Sequence, residues 1–151
     1  MKQFVLDTNI IILLVRERNR VRMTELIGLK NSEHQFIISI VTVGELESFG
    51  LRNRWGKKKF DTMYGVLEDV VKVGLEYEAI INKYAQIDAF SQNKHPSRRL
   101  DLTARNMGKN DLWIAATASA LDIPLITTDA DFDHLNGEFL VVQRIEREEL
   151  R

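Results

Sequence analysis

Asn110-Asp111-Leu112-Trp113-Ile114-Ala115-Ala116-Thr117-Ala118-Ser119-Ala120-Leu121 is the stretch on which the fold turns. Its first turn carries Asn and Asp, and the rest is small or apolar. Alanine is the best helix former, and a row of alanines lets neighbouring backbones approach closely, so the stretch reads as a buried helix. Ile114, Ala118 and Leu121 fall at one helical face and predict a single buried stripe. Asp111 lies in the first turn, where N–H groups and the helix dipole favour negative charge. Capping alone would explain one such acid. It does not explain acids that recur at the ends of other elements.

Outward from this helix, strands and helices alternate. Lys2 to Leu6 reads as a short buried strand, and Asp7-Thr8-Asn9 starts a helix that runs to about Arg18, with Thr8 and Asn9 as capping types. Val21 to Leu29 predicts a second helix and Phe36 to Ser39 a second strand. Helices follow over Thr42–Leu51 and Lys57–Glu68, a third strand over Val70–Val73, and a long amphipathic helix over Glu76–Phe90. Ser91 to Lys109 is polar and basic and reads as a loop. Beyond the alanine-rich helix come a strand at Pro124–Thr127, a turn at Asp129–Leu135, a last strand at Phe139–Val142 and a charged, solvated tail after Arg144. Such alternation argues for a parallel sheet covered on both faces, an α/β fold.

The chain has 151 residues, the size of one domain with a proper core, so 1–151 is expected to be a single domain. At 44% hydrophobic residues the composition is that of an ordinary globular protein. The formal charge of −1 neither predicts nor excludes nucleic acid, because local patches decide such binding. The absence of cysteine excludes disulfides and thiolate metal sites and fits a reducing cytoplasm. Asp7 interrupts any signal-peptide core. The longest apolar run, Ile10 to Val15, is far too short to span a membrane, and no membrane partner is expected.

Four carboxylates stand where strands end or helices begin. Asp7 follows the first strand, Glu45 lies early in the helix after the second, Asp111 opens the alanine-rich helix, and Asp129 follows Leu125-Ile126-Thr127-Thr128. In an open parallel sheet the ligand crevice lies at the carboxyl ends of the strands, so these acids should share one rim. Like charges that close cannot all stay ionised without cations. Without cysteine, the hard oxygen ligands select Mg²⁺ or Mn²⁺ rather than Zn²⁺. Each acid also has a plainer explanation. Glu45 completes a capping box with Thr42, Asp7 could be a turn residue, and Asp129 with Asp131 could form an Asx turn before Phe132.

Asp7-Thr8-Asn9, the Ser39…Thr42-Val43-Gly44-Glu45-Leu46 segment, Asn110-Asp111…Ile114-Ala115-Ala116-Thr117-Ala118, and Ile126-Thr127-Thr128-Asp129-Ala130-Asp131-Phe132 together resemble the PIN domain, in particular the VapC-type toxins of bacterial toxin–antitoxin pairs. The resemblance covers essentially the whole chain. It implies a three-layer α/β/α fold whose five-stranded parallel sheet has the order 3-2-1-4-5. It implies a metal-dependent endoribonuclease, a cognate antitoxin as inhibitor, and a homodimer. Residue by residue, it gives Asp7, Glu45, Asp111 and Asp129 the catalytic acidic roles, with Asp131 as a further metal ligand and Asn9 and Thr128 as hydrogen-bonding supports. Ser91–Lys109 departs from the family by being longer and more basic, which touches substrate and antitoxin preference. The implied chemistry is hydrolysis by water activated on Mg²⁺ or Mn²⁺, leaving 5′-phosphate and 3′-hydroxyl ends.

His34, His95 and His134 lie outside the acidic motifs and read as surface residues, so a paired-histidine mechanism is not expected. Two basic clusters are candidates for RNA contact. One is Arg52, Arg54, Lys57, Lys58 and Lys59 around Trp55; the other is Lys94, Arg98, Arg99, Arg105 and Lys109 beside the alanine-rich helix. From these, Arg98, Arg99, Lys109 and Trp55 are expected to bind RNA, against the plainer picture of solvated charge and a half-buried tryptophan. The rival functions are an inert module that binds RNA or a partner, a PIN nuclease of RNA processing, a haloacid-dehalogenase phosphatase and a structure-specific DNA nuclease. The phosphatase wants a second Asp where Asn9 stands, and the DNA nucleases carry arches that 151 residues do not hold.

Overall fold

The computed structural model describes residues 1–151. β1 spans Lys2–Leu6, β2 His34–Ser39, β3 Val71–Val73, β4 Leu125–Thr127 and β5 Val142–Arg144. Their spatial order is β3-β2-β1-β4-β5, with every neighbouring pair parallel, as the resemblance implied. The helices are α1 (Thr8–Val15), α2 (Glu17–Ile27), α3 (Ile40–Arg52), α4 (Lys57–Glu68), α5 (Glu78–Ser91) and α6 (Lys109–Leu121).

The pleat divides the core. Val5, Ile37 and Leu125, matched in register, point to one face and meet Ile87 and Phe90 of α5 and Leu112, Ala115 and Ala118 of α6. Leu6, Ile38 and Ile126 point to the other and meet Ile10 and Leu14 of α1, Leu46 of α3 and Met63 of α4. Strands buried on both faces need continuous apolar runs, which is why Phe4-Val5-Leu6 and Phe36-Ile37-Ile38 show no alternation. Each fully buried Leu or Ile contributes about 1.5–3 kcal/mol. Ala115, Ala116 and Ala118 are fully buried because only a helix without bulk can lie so close to the sheet. Leu121, expected on the same stripe, is 40% exposed at the helix end.

Several boundaries differ from expectation. The first helix stops at Val15 rather than Arg18, because Arg16 is extended (φ −73°, ψ 120°) and the Arg20 guanidinium takes the carbonyls of Leu14 and Val15. α2 therefore begins at Glu17, four residues before the expected Val21. α3 begins at Ile40, capped by Ser39 Oγ on the Val41 N–H, so Thr42 lies inside the helix. The last strand is Val142–Arg144 instead of Phe139–Val142. Leu140 turns into the core, and Asn136 Oδ1 accepts from the Val142 N–H where the pairing starts. The tail ends in a short 3-10 turn, Arg147–Leu150. No helix is long and apolar enough to cross a membrane.

Candidate active site

The strand order places the topological switch between β1 and β4, and the crevice above their carboxyl ends is where the acids gather. Asp7 leaves β1 and caps α1. Its Oδ1 accepts from the Thr8 N–H at 2.7 Å, and its Oδ2 accepts from the Thr127 hydroxyl at 2.7 Å across the sheet. Thr127 ends β4, and its Oγ in turn accepts from the Asp129 N–H at 2.9 Å. One hydroxyl thus fixes the acid after β1 relative to the acid after β4. The expected support was Thr128, one residue on. Thr128 lies just past the end of β4, and composition cannot tell which of two adjacent threonines ends the strand and faces its neighbour.

Asp129 does form the expected Asx turn, Oδ1 accepting from the Asp131 N–H at 2.9 Å at the head of the 3-10 turn Ala130–Leu135. Glu45 does not form a capping box. With the helix starting at Ile40, its carboxylate reaches α1, where Oε1 accepts from the Thr8 hydroxyl at 2.7 Å. Thr42 Oγ lies 3.1 Å from that same hydroxyl. Thr8 has one proton, so with it given to Glu45 the Thr42 hydroxyl donates to Thr8. Asp111 makes no capping hydrogen bond either, since the N-cap of α6 is Gly108.

Asp111, Asp129 and Asp131 each bring a carboxylate oxygen to within 4.8 Å of the others. Crowding and burial show in their protonation. Burial pushes the Asp7 pKa from 3.8 up to about 6; the Thr127 and Thr8 hydrogen bonds hold it down in part, and the charges of Asp129 and Glu45 push it further up. Asp111 rises to about 7, through burial first and then the charges of Asp7, Asp129, Glu45 and Asp131. Asn9 Oδ1 is buried and has no hydrogen-bond partner, so its expected role as a hydrogen-bonding support is not seen. A cluster of carboxylate oxygens this close has the donor chemistry to hold a hard metal cation.

Residues 4–138 match the PIN domain. The chain belongs to the PIN-domain family. It is similar to ribonuclease VapC1 of Haemophilus influenzae (strain R2866), with 28% identity over 127 residues, 82% of this chain and 84% of that one. Its fold is similar to a chain of the VapBC2 complex from Rickettsia felis bound to a promoter DNA fragment, at TM-score 0.73 and 19% identity over 94% of this chain and 98% of that one. It is also similar to a chain of VapBC-1 from nontypeable Haemophilus influenzae, at TM-score 0.68 and 24% identity over 94% and 97%.

In this PIN domain a cleft of about 460 Å³ includes Glu45 and is lined as well by Thr8, Asn110, Phe49 and Arg52. The role of Asn110 was not foreseen, although it adjoins Asp111. The basic residues expected to touch RNA are placed unevenly. Arg98 lies over the Phe139 ring at 4.3 Å and donates to the Glu138 carbonyl at 2.7 Å, so it holds the long loop down. Arg99 is exposed, 4.0 Å from Asp101, and Lys109 is exposed at the start of α6. Trp55 is half-buried between Phe49 and Phe60, edge-on to both. His134 is not a surface residue. It is 8% exposed, its Nε2 lies 2.7 Å from Ser91 Oγ, and burial followed by the charge of Arg105 lowers its pKa.

Proposed function

We propose that this PIN domain is a single-domain, metal-dependent endoribonuclease of the VapC toxin kind, acting across residues 1–151 in the cytoplasm. In this reading a cognate antitoxin restrains it, it pairs as a homodimer, and its substrate is RNA. The observation that carries the proposal is the convergence of Asp111, Asp129 and Asp131, with oxygens within 4.8 Å, beside the buried Asp7 at the carboxyl ends of β1 and β4. Similarity to ribonuclease VapC1 supports the substrate class, and the fold shared with the VapBC complexes supports the partner class.

The catalytic set is Asp7, Glu45, Asp111 and Asp129, with Asp131 among the residues that would hold Mg²⁺ or Mn²⁺. The cation supplies activation of water near neutral pH and countercharge for the phosphate in the transition state. The chain supplies the rest. Thr127 and the Thr8 N–H fix both oxygens of Asp7, and Thr8 aims Glu45 at the cleft. With its pKa near 7, Asp111 is about half protonated in the metal-free protein at neutral pH, and a cation held by its carboxylate would displace that proton. Asn110 and Thr8 line the approach to the acids.

Expression without an antitoxin tests the toxin reading. Induced wild type should arrest growth, and Asp7→Asn, which keeps the α1 cap because Asn caps about as well as Asp, should relieve it. Equal harmlessness of both across induction levels would refute the toxin.

A further inference from the structure

A second cleft, of about 500 Å³, is strongly basic and is linked to Phe49 through Arg16, which lines it and lies over that ring. Arg16, Arg18, Arg20, Lys58 and Lys59 line it against one acid, Glu17, in a chain whose net charge is −1. Arg20 is committed to the carbonyls that close α1. Lys58 meets Glu17 at 3.3 Å, but both side chains are exposed, so the pair is weak and exchangeable. Arg18 and Lys59 are exposed too.

The two clefts are consecutive. Ile12 lines the cleft that holds Glu45, and Val15 and Arg16, one helical turn on, line the basic one. Phe49 stands at the junction with two guanidinium groups over its ring, that of Arg52, which shares its cleft, at 5.7 Å and that of Arg16, which lines the basic cleft, at 5.9 Å. Trp55 backs that ring edge-on. The exposed Arg52 guanidinium can yield its place over the ring to an unstacked base and neutralise a phosphate beside it, as Arg16 can on its own side of the junction.

We propose that this is the path of the substrate: a single-stranded RNA whose scissile phosphate sits at the acids crosses Phe49, and its phosphates some nucleotides away lie between Arg16 and Arg18 on one wall and Lys58 and Lys59 on the other. The proposal rests on the ribonuclease reading above and adds where the strand runs. A base-paired duplex has no free base face to offer Phe49. An acidic protein segment could neutralise the basic cleft, but it has no use for the aromatic step that leads to it.

The test is fluorescence anisotropy of the full chain in EDTA with randomised single-stranded RNA, 4 or 14 nucleotides long, and with a 14-base-pair duplex. Wild type should bind the single-stranded 14-mer better than the duplex. Lys58→Ala combined with Lys59→Ala should weaken the 14-mer roughly 5- to 20-fold and lower its log–log salt slope by about 1.4, or about 0.7 per lost phosphate contact. The 4-mer should be unaffected. Arg18→Ala, on the opposite wall, should lower the slope by about 0.7. These lysines and Arg18 are exposed, so thermal melts of the variants should superimpose on wild type. Wild-type binding of the 14-mer with no change in affinity or slope in the variants would overturn the path while leaving the ribonuclease intact. Preference for the duplex would overturn it as well. Failure of wild type to bind the single-stranded 14-mer would overturn the path, whereas the ribonuclease stands or falls on cleavage in the presence of metal. A glutamate-rich 14-residue peptide whose binding, unlike that of RNA, is lost in the lysine variant would assign the cleft to a protein partner instead.

Discussion

Asp111 separates a metal site from a capped helix. As a cap, it could be replaced by Asn at little cost, since Asn caps about as well. In a crowded site, its charge opposes folding whenever the metal is absent. Its folded pKa is about 7, above the unfolded value near 3.9. The folded state therefore binds more protons over that interval, and the metal-free protein loses stability as pH rises from about 4 to about 7. Asp111→Asn should stabilise the metal-free protein by roughly 0.5–2 kcal/mol, discounted for the solvent its half-exposed carboxyl still sees, and more at pH 8 than at pH 5. It should also remove most of the stabilisation that Mn²⁺ gives wild type. Thermal melts in EDTA and in Mn²⁺ at both pH values measure this. A less stable variant that metal still stabilises fully would return Asp111 to capping. At this scale the grouping of Asp111, Asp129 and Asp131 was legible because these acids cluster near the start of a helix or just past a strand. Thr127 and His134 were not. The choice between adjacent threonines depends on strand register, and the burial of His134 depends on Ser91, more than forty residues away in the chain.

Helix α3 carries Glu45 near its start and the aromatic junction near its end, and its seat is set by Gly50. A Cβ there would stand 2.6 Å from the Phe60 ring and 3.0 Å from Trp55. Alanine in place of glycine gains up to about 1 kcal/mol of helix propensity. Forcing a ring out of a packed cluster costs about 1–3 kcal/mol, so Gly50→Ala should be net destabilising in urea unfolding. Gly65→Ala in α4 meets open space and should be stabilising, by up to about 1 kcal/mol. If both substitutions stabilise equally, the aromatic cluster is looser than described. Most elements were legible from apolar runs and turn residues, and Lys57–Glu68 agrees to the residue. Two boundaries failed for physical reasons. Ile10 to Arg18 has no sequence break, and α1 ends only because Arg20 folds back onto its carbonyls. Phe139–Val142 looks like a strand, yet pairing of Leu125 with Val142 starts the ladder three residues later.

Over the whole molecule, a single topological fact positions the chemistry. The order β3-β2-β1-β4-β5 opens a crevice between β1 and β4, and residues separated by more than a hundred positions, Asp7 and Thr127, meet there at 2.7 Å. The near-neutral net charge hides a polarised surface. Acids gather at the carboxyl rim, and a basic cleft lies at the other end of α1, about two helical turns away. The central claim is that the rim hydrolyses RNA through a divalent cation held by those acids. Purified protein incubated with total RNA in Mg²⁺ or Mn²⁺, with and without EDTA and beside Asp7→Asn, tests it most directly. Only wild type with metal should cleave, leaving 5′-phosphate and 3′-hydroxyl ends. Cleavage that survives the chelator, or that persists in Asp7→Asn, would contradict the account.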